Sequence, residues 1–104
     1  MNDGRNAVVS VTYSVDSAAR DRFRADLDTL LESPVAIVDL SAVDYLDSTG
    51  ISELLKFYGK RKRSSPESCR LVVGPAEGTV GRIVSLAGLH EVFAVFESMK
   101  EAQA

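Results

Sequence analysis

Four times along this chain, a short apolar segment rich in β-branched residues precedes a segment whose apolar residues recur at helical spacing. The apolar segments are residues 7–13, 35–40, 69–73 and 92–96. The helical faces carry Phe23, Leu27, Leu30 and Leu31, then Ile51, Leu54, Leu55 and Tyr58, then Val80, Ile83, Val84 and Ala87, and a short last helix starts near Ser98. This alternation predicts an α/β fold, with a mixed, mostly parallel sheet of four to five strands and about four helices as right-handed crossovers.

Polar and special residues mark the expected ends of the helices. Asp16 or Ser17 can cap the first helix, and Pro34 ends it. Thr79 is a candidate cap for the third helix, and Gly88 follows that helix where a left-handed residue is favoured. On the first helix, the charged residues Arg20, Asp21, Arg24 and Asp28 are expected to face water.

Length and composition predict one domain over residues 1–104. The chain is 45% hydrophobic and 26% charged, as in ordinary globular proteins. Its longest apolar runs fall far short of the roughly 18 residues of a membrane span, so no membrane insertion is expected. The first residues do not resemble a secretion signal, and the single Cys69 cannot form an internal disulfide. We therefore expect a cytoplasmic protein.

The charges are unevenly distributed around a net charge of −3. The overall acidity argues against a nucleic-acid partner. Residues 56–63 nevertheless contain five basic residues and no acid, namely Lys56, Lys60, Arg61, Lys62 and Arg63. This basic run has two interpretations: a solvated helix end that complements the helix dipole, or a docking patch for an acidic protein or an anionic lipid.

The sequence lacks the residues that enzymatic or metal chemistry requires. His90 is the only histidine, and no G-x-S-x-G motif supplies a nucleophile. One cysteine and one histidine cannot complete a structural zinc site, and the acidic residues lack calcium-loop spacing. We expect no catalytic residue, no metal, no cofactor and no enzyme activity.

The tetrad Asp47, Ser48, Thr49 and Gly50 marks the point where the apolar period changes from strand to helix. Its two hydroxyls lie in a first helical turn, where backbone N–H groups are unpaired and the dipole is positive. One interpretation is simple capping by Asp47 or Ser48. The other is a phosphorylation switch, because a dianion is tolerated at a helix start but opposes a partner packed against it.

Residues 38–51 have the sequence VDLSAVDYLDSTGI. This segment resembles the motif of the STAS domain family (sulfate transporter and anti-sigma factor antagonist), in which an apolar strand is followed by D-L-S, a short link and D-S-[ST]-G-[LI]. The resemblance extends to Asp16 with Phe23 and Arg24, to LVVGP at residues 71–75 and to LAGL at residues 86–89. It covers nearly the whole chain from about Val8. One departure is Tyr13, which stands where family members usually have glycine.

The resemblance implies a bacterial anti-sigma factor antagonist that switches partners. In that class the second hydroxyl of the tetrad is phosphorylated, which implies Thr49 rather than Ser48. The unphosphorylated protein would bind an anti-sigma factor with serine/threonine kinase activity and release a sigma factor, and a phosphatase acting on Thr49 would reset the cycle. The implied partner-binding residues are Asp16, Asp47, Ser48, Thr49, Gly50 and Glu53.

Two other functions remain open within the same resemblance. The chain could be a STAS subunit that binds the ATPase of a lipid-transport ABC system, without a phosphate cycle. A stressosome-type scaffold is the third alternative, although such proteins usually carry a further domain.

Overall fold

The sheet contains four parallel strands that neighbour each other in chain order. In the computed structural model, which describes residues 6–61 and 65–103, the strands are β1 (Asn6–Ser10), β2 (Val35–Asp39), β3 (Cys69–Val72) and β4 (Ala94–Phe96). All three strand pairs are parallel, with Val9 opposite Val38 and Val38 opposite Leu71. The α/β architecture predicted from the sequence is confirmed.

The part of the chain that the structure describes also contains four α-helices: α1 (Arg20–Asp28), α2 (Ser48–Lys60), α3 (Thr79–Leu86) and α4 (Met99–Gln103). Short 3-10 helices precede α1 at Ser17–Ala19 and follow α3 at Leu89–Glu91. Each crossover advances one strand in the same direction, so right-handed connections place α1, α2 and α3 on one face of the sheet. Within the described residues, no helix combines the length and the apolar composition that spanning a bilayer requires.

The two faces of the sheet bury cores of different size. The larger core lies between the sheet and α1 to α3 and includes the fully buried rings of Phe23, Phe57 and Phe93. The opposite face has a small core of Ile37, Val72 and Ala102, with Ala102 supplied by α4. Because successive strand residues point to opposite faces, β2 supplies both cores, which explains its nearly continuous apolar sequence.

The first strand and first helix are shorter than the sequence predicts. β1 ends at Ser10, and the chain then leaves the sheet after Val11 donates to the carbonyl of Asp39 at 3.0 Å. The first helix was expected to continue to Pro34 but ends at Asp28. The Thr29 hydroxyl donates to the carbonyl of Asp26 at 2.6 Å, and residues 29–33 continue as tight turns that still bury Leu30.

The second half of the chain differs from prediction at two boundaries. Gly78, not Thr79, is the cap residue of α3, and Thr79 is the first helical residue. Gly88 has a φ of 73° and confirms the left-handed position predicted after the helix. β4 was expected to start at Val92, but the N–H groups of Val92 and Phe93 donate to the carbonyl of Leu89, and this turn delays the strand to Ala94.

Candidate partner-binding site

Two loops at the carboxyl edge of the sheet are joined by a single parallel β-bridge between Val15 and Leu46. Val15 donates its N–H to the carbonyl of Tyr45 at 2.8 Å, and Asp47 donates to the carbonyl of Val15 at 3.2 Å. Val15 and Leu46 are almost completely buried. The loop before α1 and the loop before α2 therefore form one structural unit.

Each of these loops ends in an aspartate that caps the helical segment following it. Asp16 follows Val15, and its carboxylate accepts the N–H of Ala19 at 3.1 Å. Asp47 follows Leu46, and its carboxylate accepts the N–H of Thr49 at 2.9 Å. Both predicted capping roles are confirmed, and the bridge brings the two carboxylates to the same edge of the sheet.

Gly50 has a packing role under the first turn of α2. An added Cβ would overlap Cδ1 of Leu46 and lie 2.7 Å from Cγ1 of Val15. Glycine therefore lets α2 approach the bridge more closely than any other residue would. Gly50, which the resemblance implied as a partner-binding residue, is buried.

Ser48 and Thr49 occupy the first turn of α2, where the sequence predicts them. Ser48 is exposed and Thr49 is half-buried. Within the described residues, neither side-chain hydroxyl forms a hydrogen bond to another protein group. The helix α2 begins at Ser48, so both hydroxyls lie in its first turn and are available to react or to bind.

A shallow depression of about 250 Å³ opens beside Thr49. It is lined by Arg20, Ser48, Thr49, Ser52, Glu53 and Lys56. Glu53 forms its inner wall and is only 3% exposed, because Arg24 of α1 binds both carboxylate oxygens at 2.9 and 2.8 Å. Lys56 lies 3.7 Å from the same carboxylate.

This ion pair sets the charge state of the depression. The hydrogen bond from Arg24 lowers the pKa of Glu53 below its usual value, against the opposing effect of burial. The same hydrogen bond raises the pKa of Arg24. Glu53 is consequently a carboxylate at neutral pH, and its oxygens are already engaged inside the protein. The structure thus buries Glu53, which the resemblance implied as a partner-binding residue.

The structure brings together most of the predicted site residues. One edge of the sheet holds Asp16, Asp47, Ser48 and Thr49. The sequence pattern predicted that Arg20 and Arg24 face water. Arg24 instead joins α1 to α2, and Asp28 similarly binds Lys60 across the two helices at 2.8 Å. Lys56 could have been placed near Thr49 from its i+7 spacing, but no local sequence signal pairs Arg24 with a residue 29 positions away.

The members of the basic run that the structure describes form neither a uniformly solvated face nor a continuous docking patch. Arg61 is 5% exposed and donates to the carbonyls of Leu30, Pro34 and Ser68 at 2.6, 3.3 and 3.3 Å. Lys56 and Lys60 contact carboxylates of this chain. Lys62 and Arg63 lie outside the described residues. The described members of the run thus mainly connect elements of the fold.

The remaining histidine, cysteine and acidic residues of the described chain form no metal-binding cluster. Over residues 6–61 and 65–103, no group of three or more histidine, cysteine, aspartate or glutamate side chains could hold a metal ion. His90 is exposed in the 3-10 helix after α3. Cys69 is buried in β3. The loop-and-helix edge around Thr49 is the arrangement in which the predicted residues converge.

Comparison with known proteins agrees with this architecture. A solved anti-sigma factor antagonist from Mycobacterium paratuberculosis superposes with a TM-score of 0.83 at 25% identity, over 98% of this chain and 85% of that chain. The phosphorylated form of SpoIIAA, a cell fate determinant of Bacillus, superposes with a TM-score of 0.61 at 17% identity, over 98% of this chain and 91% of that chain. The sequence also matches the STAS domain over residues 2–102. This chain therefore belongs to the STAS domain family.

Proposed function

We propose that this protein is an anti-sigma factor antagonist without catalytic activity of its own, whose binding to an anti-sigma kinase is controlled by phosphorylation of Thr49. The observation that carries the proposal is the position of Thr49, a half-buried residue with an unengaged hydroxyl in the first turn of α2. The likeness to the mycobacterial antagonist supports the regulatory role.

The unmodified edge is suited to a protein partner. Two loops are held together by the bridge between Val15 and Leu46, so the surface is formed before a partner arrives. A preformed surface avoids the entropic cost of ordering loops on binding. Tyr45 beside the tetrad and Leu55 farther along α2 are 49% and 45% exposed, and they offer apolar contact area to a partner.

Phosphorylation would alter this surface without disrupting the fold. The kinase transfers the γ-phosphoryl group of ATP to Oγ1 of Thr49, and ADP and the hydroxyl proton are released. A helix start tolerates the added negative charge because its N–H groups and dipole are positive there. A partner covering Thr49 would have to desolvate a dianion next to Asp47, and an uncompensated buried charge is strongly unfavourable.

The test begins with the modification itself. The protein is incubated with a candidate anti-sigma kinase and ATP, and the phosphate is located by mass spectrometry. We expect phosphate on Thr49 and its loss in Thr49→Ala. Thr79→Ala is the matched control, because Thr79 is another threonine in the first turn of a helix and its side chain is exposed. Phosphate on Ser48 alone would contradict the assignment.

Titration with the same kinase then tests the consequence for binding. Thr49→Ala should bind as tightly as the unmodified protein, and Thr49→Glu should bind roughly tenfold more weakly or worse, which corresponds to about 1.4 kcal/mol. Circular dichroism should show both variants folded. Equal affinities of the two variants, with both folded, would refute a switch at this position.

A further inference from the structure

The depression beside Thr49 contains more positive than negative charge. Arg20 and Lys56 line it, and Arg24 reaches its inner wall through Glu53. Glu53 is the only carboxylate among the lining residues. Because Arg24 pairs with Glu53, Arg20 and Lys56 are the cationic side chains of the depression that the Glu53 carboxylate does not bind directly.

The Glu53 carboxylate does not form direct hydrogen bonds with all of these cationic side chains. Arg24 occupies both carboxylate oxygens, and Lys56 remains at 3.7 Å, longer than a direct hydrogen bond. Arg20 lies 3.8 Å from Asp21, whose side chain is 89% exposed and strongly solvated. Arg20 and Lys56 are thus available to a further anion at little cost to existing contacts.

Helix geometry directs Lys56 toward Thr49. Thr49, Glu53 and Lys56 follow each other at i, i+4 and i+7, so they lie on one face of α2. Long side chains on a helix point back toward its N-terminus. The Lys56 ammonium group already lies beside Glu53, one turn from Thr49. Arg20 approaches the same depression from the start of α1.

We propose that this depression is an internal receptor for the phosphate of phosphorylated Thr49, in which Arg20 and Lys56 bind the phosphate oxygens. The inference rests on the proposed function and specifies how the modified state is held. A phosphothreonine carries about −1.5 to −2 charges at neutral pH, which two cationic side chains such as Arg20 and Lys56 can balance. The Asp47 carboxylate, which accepts the Thr49 N–H at 2.9 Å, repels the phosphate and favours its movement toward the cations.

The receptor gives the switch a second component. In the unmodified protein, Arg20 and Lys56 can pair with acidic groups of a partner. In the phosphorylated protein they are engaged by the phosphate, so the surface loses two cations as it gains a dianion. Arg24 stays on Glu53, and the connection between α1 and α2 is retained.

The test measures the phosphate directly and needs no partner. Phosphothreonine is installed at position 49 by genetic encoding, and its ³¹P resonance is titrated with pH. The ordinary second pKa of such a phosphate is about 6. We expect the midpoint below that value, and we expect Lys56→Gln and Arg20→Gln each to move it upward by about half a pH unit, since nearby cations favour the dianion. Lys100→Gln, an exposed lysine of α4, is the control and should leave it unchanged.

The outcomes separate this inference from the proposed function. A midpoint that is the same in the parent protein and in both variants, with all proteins folded by circular dichroism, would overturn the receptor. The receptor would also be overturned if Lys56→Gln and Arg20→Gln weakened binding of the unphosphorylated protein to its partner but left the midpoint of the phosphate titration unchanged. The cations would then serve an acidic group of the partner. A lowered midpoint without any effect of phosphorylation on partner binding would support the receptor and refute the switch.

Discussion

The hydroxyl of Tyr13 donates a 2.5 Å hydrogen bond to Oδ2 of Asp26 and thereby connects the loop after β1 to the middle of α1. The guanidinium of Arg22 lies over the same ring, 3.9 Å from its centroid. The Tyr13 side chain packs on α1 beside the bridged loops. The bulky residue is therefore accommodated by contacts with the helix.

The hydroxyl of Tyr13 should lose its proton at a higher pH than the hydroxyl of an ordinary tyrosine. Burial, and then the hydrogen bond to Asp26, raise the pKa of its hydroxyl above the usual value of 10.0. In an alkaline titration followed by ultraviolet absorbance, the difference between the parent protein and Tyr13→Phe should appear above that pH. The substitution should also lower the free energy of unfolding by about 1 kcal/mol through loss of the hydrogen bond. A difference spectrum centred near pH 10 would contradict the geometry.

Glu53 should make stability depend on pH in the acidic range. Its pKa is lowered in the folded protein, so its contribution is present above the unfolded-state value near 4.5 and is lost as pH falls through the lower folded-state value. Glu53→Gln should be less stable than the parent at pH 7, and the gap should shrink below about pH 4.5. Urea unfolding at several pH values measures this. Glu77→Gln, which changes an exposed glutamate, should follow the parent at each pH.

Two glycines of α2 should respond to alanine in opposite directions. Gly50→Ala forces a Cβ against the buried side chains of Leu46 and Val15 and should destabilise the protein by about 1–3 kcal/mol. Gly59→Ala meets nothing within 4 Å in an exposed helical position and should stabilise it by about 0.5–1 kcal/mol. Thermal or urea unfolding of both variants checks the pair. A stabilising Gly50→Ala would mean that the bridge and α2 are not in close contact.

Adjacent basic residues at the end of α2 should differ sharply in their effect on stability. Arg61→Gln removes donors to three backbone carbonyls from a buried position and should destabilise the protein by about 1–3 kcal/mol. Lys60→Gln removes only a half-exposed ion pair with Asp28 and should cost less than about 1 kcal/mol. Equal losses of stability for the two variants in urea unfolding would contradict this difference and would indicate that the run is a uniform charged surface.

The sequence predicted the order of the elements because each depends on a local pattern. The β-branched segment at residues 35–40 and the apolar spacing from Ile51 are visible without tertiary information, and both lie where predicted. The capping roles of Asp16 and Asp47 were predictable for the same reason, since a cap bonds an N–H only two or three residues away. The tetrad was therefore recognisable from sequence as a helix start.

Contacts between distant residues were not predictable in this way. Arg24 has the spacing of an exposed helical residue, yet it pairs with Glu53 on another helix. Arg61 belongs to a run of basic residues, yet carbonyl oxygens of two separate connections, the one before β2 and the one before β3, surround it. The bridge of Val15 to Leu46 depends on two loops meeting above the sheet. Composition and periodicity describe single elements, and these features arise only when elements pack.

The bridge between Val15 and Leu46 has a consequence for sequence change in this protein. Inserting one residue into either loop would displace its capping aspartate relative to the capping aspartate of the other loop and would tilt the start of α2. Evolution of a new binding preference at this edge is therefore expected to proceed by exchanging side chains around a fixed backbone spacing, rather than by insertions or deletions.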